Sequence, residues 1–73
     1  MIRYEWALYE LPAKMKVAAG SAADKADSER EAYHYLGMYA QDGGSLRLEF
    51  TEVSWGADGK LRRKKLAPTQ ERR

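Results

Sequence analysis

The sequence predicts an α+β domain, a small two-layer arrangement in the order β-β-α-β-β. An antiparallel sheet of three to four strands carries one helix packed on one face. Three observations point to it. Residues 2–9 alternate apolar and polar side chains at the strand period, residues 28–41 repeat apolar side chains at the helix period, and residues 46–51 alternate again.

In the first strand Ile2, Tyr4, Trp6 and Leu8 fall on one face and Arg3, Glu5, Ala7 and Tyr9 on the other. Leu11-Pro12-Ala13 ends the run, because proline has no N–H for a ladder and restricts the residue before it. Alternation resumes as Met15, Val17 and Ala19 against Lys14, Lys16 and Ala18, which closes a hairpin. Gly20-Ser21-Ala22-Ala23 reads as a small-residue connection. A helix then starts between Asp24 and Ser28. Ser28 with Glu31 has the form of a capping box, and Asp24 with Asp27 offers a competing start. At 100° per residue Ala32, Tyr33, Tyr35, Leu36, Tyr39 and Ala40 share one arc, with Arg30, Glu31, His34 and Gln41 opposite. Gly43 is the expected stop.

Leu46, Leu48 and Phe50 then alternate with Arg47, Glu49 and Thr51. Val53 and Trp55 have the opposite parity, so a bulge near Thr51-Glu52, or an end to the strand there, is expected. Gly56-Ala57-Asp58-Gly59 is a hairpin turn, and Lys60 to Leu66 returns as a fourth strand whose apolar residues, Leu61 and Leu66, differ in parity. The expected organisation is one domain over residues 1–66 and a flexible basic C-terminal tail over 67–73. The apolar sheet face receives the helix; Arg3, Glu5, Lys14, Lys16, Arg47 and Glu49 occupy the face left in water.

Charge is distributed unevenly. Residues 60–73 carry seven basic side chains and one acid, a net +6, whereas residues 1–59 carry six basic side chains and ten acids, a net −4. Five of the six residues Lys60-Leu61-Arg62-Arg63-Lys64-Lys65 are basic, which exceeds the one or two lysines that usually guard a sheet edge. The segment reads either as a charged, solvated edge or as a footprint on phosphates. Trp55, just before the turn, can stack on a base, anchor a protein contact or cap the end of the core.

No nucleophile–base pair, metal cluster or cofactor loop can be assembled from this sequence, so an enzyme is not expected and no cofactor or metal is implied. His34 stands alone and opposite the apolar arc. Asp24, Asp27, Glu29 and Glu31 suit the positive end of a helix. Gly56–Lys60 lacks the spacing of a phosphate loop. With no cysteine, no signal-peptide pattern and no apolar run of about 18 residues, a cytoplasmic setting without membrane spanning is expected.

The expectation is a small non-enzymatic binding protein. It contacts nucleic acid or a nucleoprotein through Lys60, Arg62, Arg63, Lys64 and Lys65, helped by Trp55, Arg72 and Arg73. The alternative is a protein-binding inhibitor or adaptor, of the compact kind that phages and mobile elements encode, docking the same residues on an acidic partner surface. A homodimer paired through an edge strand is a further possibility.

Overall fold

The computed structural model describes residues 1–41 and 43–72, with residues 67–72 described by their backbone alone. The elements are β1 (Ile2–Glu10), β2 (Met15–Ala22), α1 (Lys25–Ala40), β3 (Leu46–Trp55) and β4 (Leu61–Arg72). The four strands form one antiparallel sheet in the order β2-β1-β3-β4. The fold is therefore the expected α+β domain with one helix. β4 crosses the 66/67 boundary at which a tail was expected; the side chains of 67–72, and all of Arg73, lie outside the described residues.

The core forms where the helix meets the apolar sheet face. Trp6 and Leu8 of β1, Leu46, Leu48 and Phe50 of β3, and Ala32 and Leu36 of α1 make one buried cluster. Val17, Ala18, Tyr39, Ala40 and Leu66 pack around it. The helix rests chiefly on β1 and β2 and less on β3. Its buried stripe is Ser28, Ala32 and Leu36, spaced four residues apart, and the small first two allow close approach to the sheet. The tyrosines form a rim. Tyr35 lies 5.3 Å from the Trp6 ring, Tyr33 lies 6.1 Å from Phe50, and both remain exposed. The Tyr39 hydroxyl donates to the Val17 carbonyl at 3.2 Å.

Three local expectations are corrected. The Ser28 capping box does not form: the helix takes the competing start at Asp24, whose carboxylate accepts from the Ala26 N–H at 2.8 Å. Ser28 is buried instead, and its hydroxyl donates to the Tyr4 carbonyl at 3.1 Å. In β2 the register shifts between Leu8 and Tyr9, leaving Val17 as an extra residue. Ala18 therefore pairs with Leu8 and Ala19 with Ala7, the reverse of a simple alternation. β2 also extends through Gly20, Ser21 and Ala22, which the sequence suggested as a connection.

The third correction concerns β3. It pairs with β1 from Leu46↔Glu10 to Ser54↔Ile2 without a slip, so no bulge occurs at Thr51-Glu52. Val53 and Trp55 consequently lie on the face away from the helix. Val53 is nonetheless buried, flanked in register by the long side chains of Arg3 and Arg63. After α1, Gly43 adopts φ +77° and its N–H reaches the Ala40 carbonyl at 3.1 Å, the expected glycine stop.

Candidate nucleic-acid interface

The basic run occupies β4, the outer strand beside β3. Its turn is closed by backbone bonds from Gly59 to Gly56 (2.9 Å) and from Gly56 to Lys60 (3.0 Å), with Gly59 at φ +77°. The Asp58 carboxylate accepts from the Lys60 N–H at 3.0 Å and pairs with Arg62 at 3.4 Å. The Arg62 guanidinium lies over Gly56, where an added Cβ would stand 2.6 Å from Nη1. Lys60, Arg62, Arg63, Lys64 and Lys65 are all exposed.

Strand geometry divides this run between two faces. Arg62, Lys64 and Leu66 oppose Ser54, Glu52 and Phe50 on the helix side. Arg63 and Lys65 oppose Val53 and Thr51 on the open side. The structure thus does not gather all the basic residues on one surface. It instead joins Arg63 and Lys65 to Arg3, Lys14, Lys16 and Arg47, which come from the other strands and the β1–β2 turn. Against these six cations the described side chains of the open face include two carboxylates, Glu5 and Glu49, for a net +4.

Both carboxylates are engaged. Arg63 donates to Glu5, and Arg3 donates to the Ser21 hydroxyl at 3.1 Å. Glu49 is only 8% exposed and is held by Arg47 at 2.8 Å, Lys65 at 3.3 Å and Lys14 at 3.4 Å. Burial pushes its carboxyl up, but hydrogen bonding and charge from Lys65, and then from Lys14, outweigh burial and hold it below the ordinary value. Lys14 sits at φ +55° in the turn, and its ammonium lies 5.3 Å from the centre of the Tyr9 ring.

A shallow groove of about 570 Å³ runs across this face. Small side chains of Ala7, Ala19, Ser21 and Thr51 line it, and Lys16, Tyr9 and Arg63 stand at its sides. Trp55 faces the same side, 40% exposed and paired across strands with Leu61, itself 46% exposed. The open face therefore carries two aromatics, Tyr9 and Trp55, where strand parity alone gave only Tyr9.

The remaining candidates sit elsewhere. His34 is exposed and packs edge-on to Tyr35 at 5.5 Å. Asp27 pairs with Arg30 at 2.8 Å. Glu31, placed by the helical wheel opposite the apolar arc, instead accepts the Trp6 indole N–H at 2.9 Å. Among the described residues no helix is long and apolar enough to cross a membrane, and no group of three metal-ligating side chains occurs.

Fold and surface together define a small α+β domain whose sheet has one face on a helix and a cationic face in water. No family model, curated protein or solved structure matches the chain.

Proposed function

We propose that this is a small non-enzymatic binding protein that contacts nucleic acid, alone or in a nucleoprotein, through the basic strand β4. One observation supports it above the others: four exposed cations, Arg62 to Lys65, follow one another along an outer strand with Lys60 in the turn before it, and two of them extend a net positive sheet face. Phosphate oxygens are the complementary partner for such a row, because each neutralised phosphate releases condensed counterions. Arg62 and Arg63 meet exposed carboxylates within the chain, and such pairs exchange for phosphates at little cost, whereas Lys65 shares the buried Glu49 with Arg47 and Lys14. Arg72 and Arg73 add to the same footprint on sequence grounds. A reducing, cytoplasmic setting suits a chain without cysteine.

The alternative, an inhibitor or adaptor docking on an acidic protein, draws on the exposed cross-strand pair Trp55–Leu61 beside Lys60 and Arg62. A pull-down from lysate with and without nuclease separates the two. Nucleic acid on the bait, with co-purifying proteins lost after nuclease, is the expected result. A stoichiometric protein partner that survives nuclease, with no nucleic acid recovered, overturns the first reading in favour of the second.

A further inference from the structure

We infer that the open face of the sheet is a binding surface for single-stranded nucleic acid, with bases entering the groove between Lys16 and Arg63; this inference rests on the nucleic-acid reading above. The strand order places Lys16 and Arg63 on the two outer strands, β2 and β4. Three inter-strand spacings across the sheet, roughly 14 Å, and six residues along the strands, roughly 20 Å, separate them diagonally, since Lys16 pairs with Tyr9 while Arg63 is in line with Arg3. A single strand can follow the groove along that diagonal, with a phosphate at either end.

Three features favour a single strand. First, the lining residues Ala7, Ala19, Ser21 and Thr51 are small, so a planar base can approach the sheet. A volume of about 570 Å³ lies within the usual range of about 300–1,000 Å³ for ligand sites. Second, Tyr9 and Trp55 face the same side from opposite ends of the β1–β3 pair. Tyr9 is level with Arg47, eight residues along β3 from Trp55, about 27 Å at the strand rise. Unpaired bases stack on such aromatics, whereas bases within a duplex do not offer their faces. Third, the two carboxylates among the described side chains of the face are each paired, Glu5 with Arg63 and Glu49 with three cations, and six cations outnumber them there, so the face keeps a net attraction for phosphate. Lys14, over the Tyr9 ring, is placed to pass to a phosphate when a base takes its position.

The test is fluorescence anisotropy at low salt with labelled oligo(dT) and oligo(rU) of about 12 nucleotides and with a duplex of matched length, melts confirming that each variant folds. The single strands should bind at least about tenfold more tightly than the duplex, the DNA and RNA arms showing whether the 2′-hydroxyl contributes. Tyr9→Leu and Trp55→Ala should each weaken single-strand binding about five- to a hundredfold, the usual span for a lost stacking platform. Ala19→Glu, which adds a carboxylate to the groove from an exposed position, should weaken it about tenfold or more. Arg62→Gln with Lys64→Gln, on the helix side, should weaken it by less than any of the groove variants does. Binding that survives the groove variants and is lost in the Arg62/Lys64 pair, or that favours duplex, overturns this inference while leaving the nucleic-acid reading intact. Absence of binding to all three probes overturns both.

Discussion

The indole N–H of Trp6 donates to Glu31 Oε1 at 2.9 Å, and the bond runs past Gly20, the residue opposite Trp6 in β2. A Cβ at Gly20 would stand 2.1 Å from that oxygen and 2.7 Å from the indole nitrogen. Glycine normally weakens a strand, so Gly20→Ala is favourable on propensity alone. Here the sign should reverse. The Glu31 tip can swing away, but the buried Trp6 ring cannot, so Gly20→Ala should cost about 1–3 kcal/mol. Glu31→Ala should cost a similar ~1–3 kcal/mol by stranding the indole N–H, with Glu31→Gln milder because it keeps an acceptor. Chemical denaturation of the three variants checks this ordering.

Of the two helix starts that the sequence offered, Asp24 provides the cap and Ser28 is buried within the helix. Asp24→Ala should cost about 1 kcal/mol as a lost helix cap. Ser28→Ala leaves the helix start capped but removes the donor to the Tyr4 carbonyl, again costing about 1 kcal/mol. Helix content measured on an isolated peptide of residues 22–42 separates them: it should fall for Asp24→Ala and not for Ser28→Ala.

The helix face should show a graded response. Trp6→Ala and Leu36→Ala empty buried sites and should cost about 3–5 and 2–5 kcal/mol respectively. Tyr35, 36% exposed and resting on Trp6, should cost about 1 kcal/mol when truncated, less than a core position on the apolar arc would imply. His34→Ala should lie within about 0.5 kcal/mol of wild type. Thermal melts in which His34→Ala is as damaging as Leu36→Ala contradict this packing.

Glu49 gives the acid limb a specific origin. Its folded carboxyl is held below the ordinary value of about 4.3, so its contribution is fully present above that value. The contribution disappears as pH falls through the lower, folded value. Glu49→Gln should therefore melt lower than wild type at neutral pH, because Lys14, Arg47 and Lys65 lose their shared anion. Its melting temperature should also fall less steeply with acid. Parallel curves for the two proteins across the acid range contradict this role.

The parts of the fold that follow regular alternation were legible in the sequence. Trp6, Leu8, Leu46, Leu48 and Phe50 needed only the strand period, and Gly43 needed only its backbone freedom. The rest depends on neighbours distant in sequence. Val17 is an extra residue only relative to β1, so the parity of Ala18 and Ala19 could not be read from β2 alone. Val53 suggested a slip because a buried valine usually marks the core side; here arginines on both neighbouring strands flank it on the other face. Gly20 read as a loop residue because its reason for being glycine is the Trp6–Glu31 bond above it. The basic run itself was plain, but its division between two faces, and the union of Arg63 and Lys65 with Arg3, Lys16 and Arg47, follow from register. His34 and Glu31 shared one side of the helical wheel, yet only Glu31 reaches the tryptophan.

The central claim, that β4 meets phosphates, is tested most directly by the salt dependence of binding. Affinity for single-stranded and duplex probes is measured against salt for wild type and for a variant with Arg62, Arg63, Lys64 and Lys65 all changed to glutamine, after melts confirm both are folded. Two to four lost phosphate contacts should flatten the log–log slope by about 1.5 to 3.5 units, the lower figure for one face engaged and the upper for both. Equal slopes for the two proteins, or no binding by wild type at low salt, contradict the account.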